Sequence, residues 1–247
     1  MKIRILKIEI VVICILLVAL FFMFRSNPIK PSKDVVEGLA FLEQEEKKNV
    51  ASAQEKVTKA QSALATPIPR EGSYPERYAH AVIIGDSIAE ACHEYGLLPK
   101  SIDLAVRGRR TDNSYDEVNT AIMLAPEHIF LCLGMNDLVF VAGNEKVFIK
   151  QYEDLIHAIQ QGIPNAKIYV NSILPMTDVG YQETPYNKYD RKFNVEIKKM
   201  CEKMGITYID NDVIIDHDPA KFEQDGIHPT YPFYSVWLEY MAGYAGI

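Results

Sequence analysis

Four blocks of the chain carry residue types that can act together on a carbonyl group. Gly85-Asp86-Ser87-Ile88 follows an apolar run and opens a helical pattern. Ser87 therefore falls where free backbone N–H groups and the positive end of a helix dipole favour an oxyanion. Gly108, in Arg107-Gly108-Arg109-Arg110, closes a second apolar run, and a glycine there can turn its own N–H toward the same crevice. Asn136, in Gly134-Met135-Asn136-Asp137, closes a third run with a side-chain amide that can donate to a developing negative charge. In Asp225-Gly226-Ile227-His228-Pro229 a carboxylate precedes an imidazole by three residues. That spacing lets the Asp hold one ring nitrogen while the other faces a nucleophile.

Each block also has a plainer reading. Ser87 alone is a good helix N-cap, Gly108 an ordinary turn glycine, Asn136 the start of an Asx-turn and 225–228 a surface turn. His217, in Asp216-His217-Asp218-Pro219, competes with His228. The chain has no Gly-x-Gly-x-x-Gly, no P-loop and no Gly-x-Ser-x-Gly elbow. Neither a metal nor a cofactor is expected. The Asp216–Asp218 cluster lacks further ligands, and Cys92, Cys132 and Cys201 have no Cys-x-x-Cys spacing. Cys132, inside an apolar run, reads as a small buried hydrophobe.

The elements that must position these blocks follow from apolar patterning. Strands are expected over 80–84, 101–106, 128–133, 167–173 and 206–210, and helices over 87–95, 114–124, 145–161, 187–204 and after Pro232. Apolar strands separated by helices imply an α/β fold: a parallel sheet of five strands with helices on both faces. In such sheets ligands bind beyond the carboxyl ends of the strands, which is where the four blocks sit.

Taken in this order, the blocks resemble the SGNH (GDSL-type) hydrolase family, whose motifs centre on Ser, Gly, Asn and His. The resemblance runs from about residue 80 to 229 and implies a flavodoxin-like three-layer sandwich and acyl-ester chemistry with no metal. It makes Ser87 the nucleophile, His228 its base and Asp225 the partner of the imidazole. The N–H groups of Ser87 and Gly108, with the Asn136 amide, form the oxyanion hole. Around Gly108 the chain departs from the small residues common in the family: Arg107, Arg109 and Arg110 stand there. They can bind an anionic group on the substrate or pair with the acidic surface, and the cluster also resembles the extracytoplasmic cell-wall O-acetyltransferase branch.

Composition bounds the rest. The net charge is −7, with 10 Lys/Arg and 7 Asp/Glu over 1–69, so residues 70–247 carry −10. Nucleic acid is excluded as a partner, because its binding requires clustered cations. Lys2, Arg4 and Lys7 precede an unbroken apolar run of 15 residues, 10–24, that no small-x-small cleavage site follows. The expected organisation is an uncleaved transmembrane signal anchor over 1–30, a helical stalk and linker over 31–69, and an SGNH domain over 70–247. The stalk rests on Val50, Ala53, Val57, Ala60 and Leu64, at alternating spacings of three and four, and ends at Thr66-Pro67-Ile68-Pro69. A single-pass protein of the cell membrane with its domain outside is expected. Its expected function is hydrolysis of acyl esters, most simply O-acetyl groups, on envelope or extracellular glycans or small esters. An O-acyltransferase and a lipid or lysophospholipid esterase are the alternatives. Tyr181, Tyr186, Tyr189, Tyr231, Phe233, Tyr234 and Trp237 are candidates for a sugar platform or for core packing.

Overall fold

A computed structural model describes residues 72–247. The anchor expected over 1–30 and the stalk expected over 31–69 lie outside the described residues. Among the described residues no helix is long and apolar enough to cross a membrane.

The chain runs α1 (Tyr74–Arg77), β1 (Ala81–Gly85), α2 (Ser87–Glu94), α3 (Tyr115–Leu124), β2 (His128–Cys132), α4 (Met135–Phe140), α5 (Glu145–Gly162), β3 (Lys167–Asn171), α6 (Asp178–Glu183), α7 (Asp190–Met204), β4 (Thr207–Ile209) and α8 (Tyr231–Ala245). The strands form one parallel sheet in the order β1-β2-β3-β4.

Alternation along the strands divides the core into two layers. Ala81, Ile83, Phe130, Cys132 and Tyr169 face one side, where they meet Ala89 and Cys92 of α2 and Trp237, Leu238 and Met241 of α8. Val82, Ile84, Ile129, Leu131, Ile168 and Val170 face the other side, against Val118 of α3, Phe148 and Tyr152 of α5, and Phe193 and Ile197 of α7. Phe130 stacks on Tyr169 with centroids 4.9 Å apart and meets Tyr78 at 5.7 Å. Truncating so buried a ring to alanine costs about 3–5 kcal/mol.

The sheet has four strands rather than the expected five. Segment 101–106 does run beside β1: Ile83 N–H donates to Ile102 O at 2.9 Å, and Leu104 N–H to Ile83 O at 2.9 Å. It forms only a single bridge, Ile83 to Asp103. The cause is local. The N–H groups of Ile102 and Asp103 turn back to Pro99 O. The buried Asp103 carboxylate accepts from Ala105 N–H at 3.1 Å and meets His93 Nδ1 at 3.0 Å. The Ile102 N–H that would lengthen the ladder to β1 is thus spent within the segment, and the outward N–H groups of Asp103 and Ala105 are met by Pro99 O and the Asp103 carboxylate, leaving an edge that no further described strand extends.

The 187–204 helix divides into a 3-10 turn, Asn187–Tyr189, and α7. Gly85 pairs with Cys132 at the carboxyl rim of the sheet. That register brings the segments that follow β1 and β2 level with each other.

Candidate active site

Ser87 is the first residue of α2, but it does not cap the helix. Asp86 does, accepting the Ile88 N–H at 3.0 Å. The Ser87 hydroxyl is thereby left for another partner, and its Oγ lies 2.9 Å from His228 Nε2. The helix can start this close to the sheet because of Gly85: a Cβ there would lie 2.6 Å from the Ala89 Cβ and 2.9 Å from Cys132 O. Burial pushes the Asp86 carboxyl up to about 7, with Asp137 adding to the effect against the opposing Ile88 N–H.

Asp225 and His228 share one turn. Asp225 Oδ2 lies 2.6 Å from His228 Nδ1, while Oδ1 accepts the N–H groups of Ile227 at 2.9 Å and His228 at 3.0 Å. Partial burial works to raise this carboxyl. The two backbone donors and the imidazole outweigh it and hold Asp225 below the usual carboxylate range. The carboxylate fixes the ring proton on Nδ1, which leaves Nε2 as acceptor for the Ser87 hydroxyl. The surface-turn reading is thus correct as backbone geometry, and the same turn aims the imidazole.

Gly108 occupies the left-handed region at φ +79, third in a turn closed by Arg109 N–H to Val106 O at 3.2 Å. Turns of this kind require a residue that adopts positive φ without strain. Asn136 lies in the first turn of α4, and its Nδ2 donates to Arg109 O at 3.1 Å, so the Asx-turn reading gives way to a bond across to the Gly108 loop.

Ser87, Gly108, Asn136 and His228 line one cleft of about 510 Å³, together with Arg110, Met135, Val139, Phe140, Glu183, Thr184, Asn187 and Ile227. The arrangement combines a hydroxyl within hydrogen-bond distance of an imidazole–carboxylate pair with candidate donors on neighbouring loops. Those are the parts that acyl transfer through a covalent serine ester needs.

The three arginines part company. Arg107 is largely exposed and lies 3.6 Å from Glu90 and 3.9 Å from Glu94. Arg109 is turned away onto Glu117, at 2.9 Å and 2.6 Å. Only Arg110 lines the cleft; it is held by Asp112 at 2.9 Å and lies 3.8 Å over the Phe140 ring. His217 is engaged elsewhere, bonded to Met176 O and to Arg191 at 2.7 Å each. None of the seven aromatic candidates lines the cleft: Phe233, Tyr234 and Trp237 pack in the core, and Tyr181 donates to Asp190 at 2.6 Å.

Sequence reasoning missed the wall made by Phe140, Glu183, Thr184 and Asn187. It belongs to short helices and turns without a periodic signal. It also left Asp137 without a role, although its motif was in view. Asp137 is fully buried and accepts from Thr111 Oγ1 at 2.6 Å and Thr111 N–H at 3.1 Å. Burial raises its carboxyl to about 6 against those two donors.

Residues 83–236 match the GDSL-like lipase/acylhydrolase family. No curated protein matches the chain. Among solved structures, a GDSL-like lipase from Bacteroides thetaiotaomicron is similar at 14% identity and TM-score 0.56, over 77% of this chain and 98% of that one. A carbohydrate esterase of family 3 from Talaromyces cellulolyticus matches at 14% identity and TM-score 0.51, over 67% and 95%. A lipase/acylhydrolase from Enterococcus faecalis matches at 15% identity and TM-score 0.51, over 66% and 93%. At these identities the likeness is one of fold.

Proposed function

The chain belongs to the GDSL-like lipase/acylhydrolase family, and on that premise we propose that it removes short acyl groups, chiefly O-acetyl, from envelope or extracellular glycans. The chain is an ester hydrolase, and the proposal concerns its substrate, its site residues and its location. The observation that carries the site assignment is the relay from Ser87 Oγ to His228 Nε2, 2.9 Å, both lining one cleft, and from His228 Nδ1 to Asp225 Oδ2, 2.6 Å, behind it.

His228 takes the Ser87 proton as Oγ attacks the ester carbonyl carbon. The charge that forms on the carbonyl oxygen is met by the N–H groups of Ser87 and Gly108 and by Nδ2 of Asn136. Collapse breaks the bond to the alcohol oxygen, which leaves with the proton His228 returns. Water then attacks the acyl-enzyme by the same steps in reverse order. Asp225 keeps its charge throughout and stabilises the imidazolium.

A glycan alcohol is supported by the cleft wall, where Arg110, Glu183 and Thr184 offer donors and acceptors beside the exposed Phe140 ring. One structure that shares the fold is a carbohydrate esterase. The apolar run over 10–24 supports a membrane-anchored protein whose domain lies outside. Turnover of acetyl, butyryl and octanoyl esters of 4-nitrophenol by the purified protein tests the acyl preference, and acetate release from an O-acetylated polysaccharide tests the alcohol. Rates should fall with chain length. A rate that climbs to octanoyl would favour the lipid-esterase alternative.

A further inference from the structure

Asp137 does not line the cleft, yet its bonds converge on the loop that does. Its carboxylate accepts both the hydroxyl and the backbone N–H of Thr111, and both residues are fully buried. The residue before it, Asn136, donates to Arg109 O at 3.1 Å. Two consecutive positions of α4 thus grip one loop at residues 109 and 111. Consecutive helical side chains diverge by about 100°, so the loop wraps the helix end to meet both. The grip lies just past Gly108, on the far side of the turn that Arg109 N–H closes onto Val106 O. The helix that does the holding is itself fixed: Leu138 is fully buried, and a Cβ on Gly134 would stand 2.6 Å from Ile173.

We propose that Asp137 is a positioning residue of the oxyanion hole, fixing Thr111 so that the Gly108 N–H and the Asn136 amide keep a constant separation as charge builds on the substrate oxygen. The inference rests on the esterase reading above. A carboxylate suits the task because a charged acceptor binds the Thr111 donors more tightly than a neutral amide does. Arg109 also meets a buried carboxylate, Glu117, but only through its long guanidinium arm; of residues 107–111, Thr111 is the one whose backbone N–H is itself held by a buried carboxylate.

The test uses the full-length protein and 4-nitrophenyl acetate, with thermal melts alongside. Thr111→Val removes the hydroxyl donor and leaves the backbone bond to Asp137 in place. It should lower kcat by about 10–100-fold, the scale of a small misplacement of catalytic groups, with KM within about threefold. Thr111→Ser restores the donor and should restore kcat to within about threefold. In an Asn136→Ala background Thr111→Val should cost far less than in the wild type, because both changes disable one device. Asp137→Asn should lie between Thr111→Ser and Thr111→Val; if it fails to fold, the Thr111 pair carries the test. Unchanged kcat with a lowered melting temperature, or additive losses in the double variant, would show a structural pin and overturn the inference while the esterase reading stands. A wild-type protein with no turnover and no Ser87 adduct would overturn both.

Discussion

Asp225 and His228 hold each other twice across three residues, side chain to ring at 2.6 Å and side chain to backbone N–H at 3.0 Å. The carboxylate therefore sets both the ring tautomer and the path of the turn that presents the ring. Asp225→Asn retains an acceptor for the backbone donors but loses the charge opposite the imidazolium. It should lower kcat by about 100–10,000-fold with little change in melting temperature. Asp225→Ala should lose the turn as well, which would appear as a lower melting temperature.

The Ser87 assignment has a covalent readout. A sulfonyl fluoride should add once, on the peptide that carries Gly85-Asp86-Ser87. Ser87→Ala should abolish both adduct and turnover, and His228→Ala should come close to it. His217 is bonded to Met176 O and Arg191 outside the cleft, and His217→Ala should keep turnover within about twofold. A dead His217→Ala beside an active His228→Ala would reverse the choice of base.

Asn136→Ala should separate binding from chemistry. Removal of one oxyanion donor costs about 100–1,000-fold in kcat. KM should hardly move, since the donor matters most once the oxygen carries charge. A rise in KM at constant kcat would place the amide on the ground-state substrate instead.

Buried Asp86 gives a pH signature. Its ordinary value is 3.8 and its folded value about 7. Between those limits the folded chain keeps a proton that the unfolded chain releases. The stabilisation is full below 3.8 and is lost as pH rises through about 7. At about 1.4 kcal/mol per pH unit the full difference is on the order of 4 kcal/mol. Asparagine is an equally good helix cap. Asp86→Asn should therefore raise the urea midpoint at pH 8 more than at pH 5. Equal shifts at both would remove the carboxylate from the account.

Residues 70–247 should fold without the preceding chain, because both core layers are built from β1–β4 and the helices that cover them. A purified 70–247 chain should melt in one cooperative transition; a broad, non-cooperative melt would show that earlier residues complete the core.

Much of this organisation is legible in the sequence because burial on both faces writes strands as apolar runs. The runs that became β1, β2 and β3 are of that kind, and the Ser87 and Asn136 blocks sit just beyond the ends of β1 and β2, where parallel sheets place ligands. The fifth strand is cut short because the Ile102 N–H turns back to Pro99 O instead of extending the pairing with β1, an effect that its apolar neighbours conceal. The six-residue α4 has no periodicity to reveal it; Gly134 starts it at φ +133 and tertiary contact with Ile173 holds it. The Asp137–Thr111 bond spans 26 residues and is not a local property of the chain. Arg109 and Arg110 pair with Glu117 and Asp112, eight and two residues on, yet which arginine faces the cleft depends on the turn around Gly108 and the helix that follows.

The serine and its base are 141 residues apart. Synthesis therefore delivers the nucleophile long before the imidazole, and the strands and helices between them are made while Ser87 is still an ordinary alcohol. If His228 is the base we propose, any chain that ends before residue 228 is inert at this centre, however well its sheet has formed. Contacts so distant in sequence are in general slow to close. On that assignment a chain that has not yet reached the 225–228 turn has no base with which to activate Ser87.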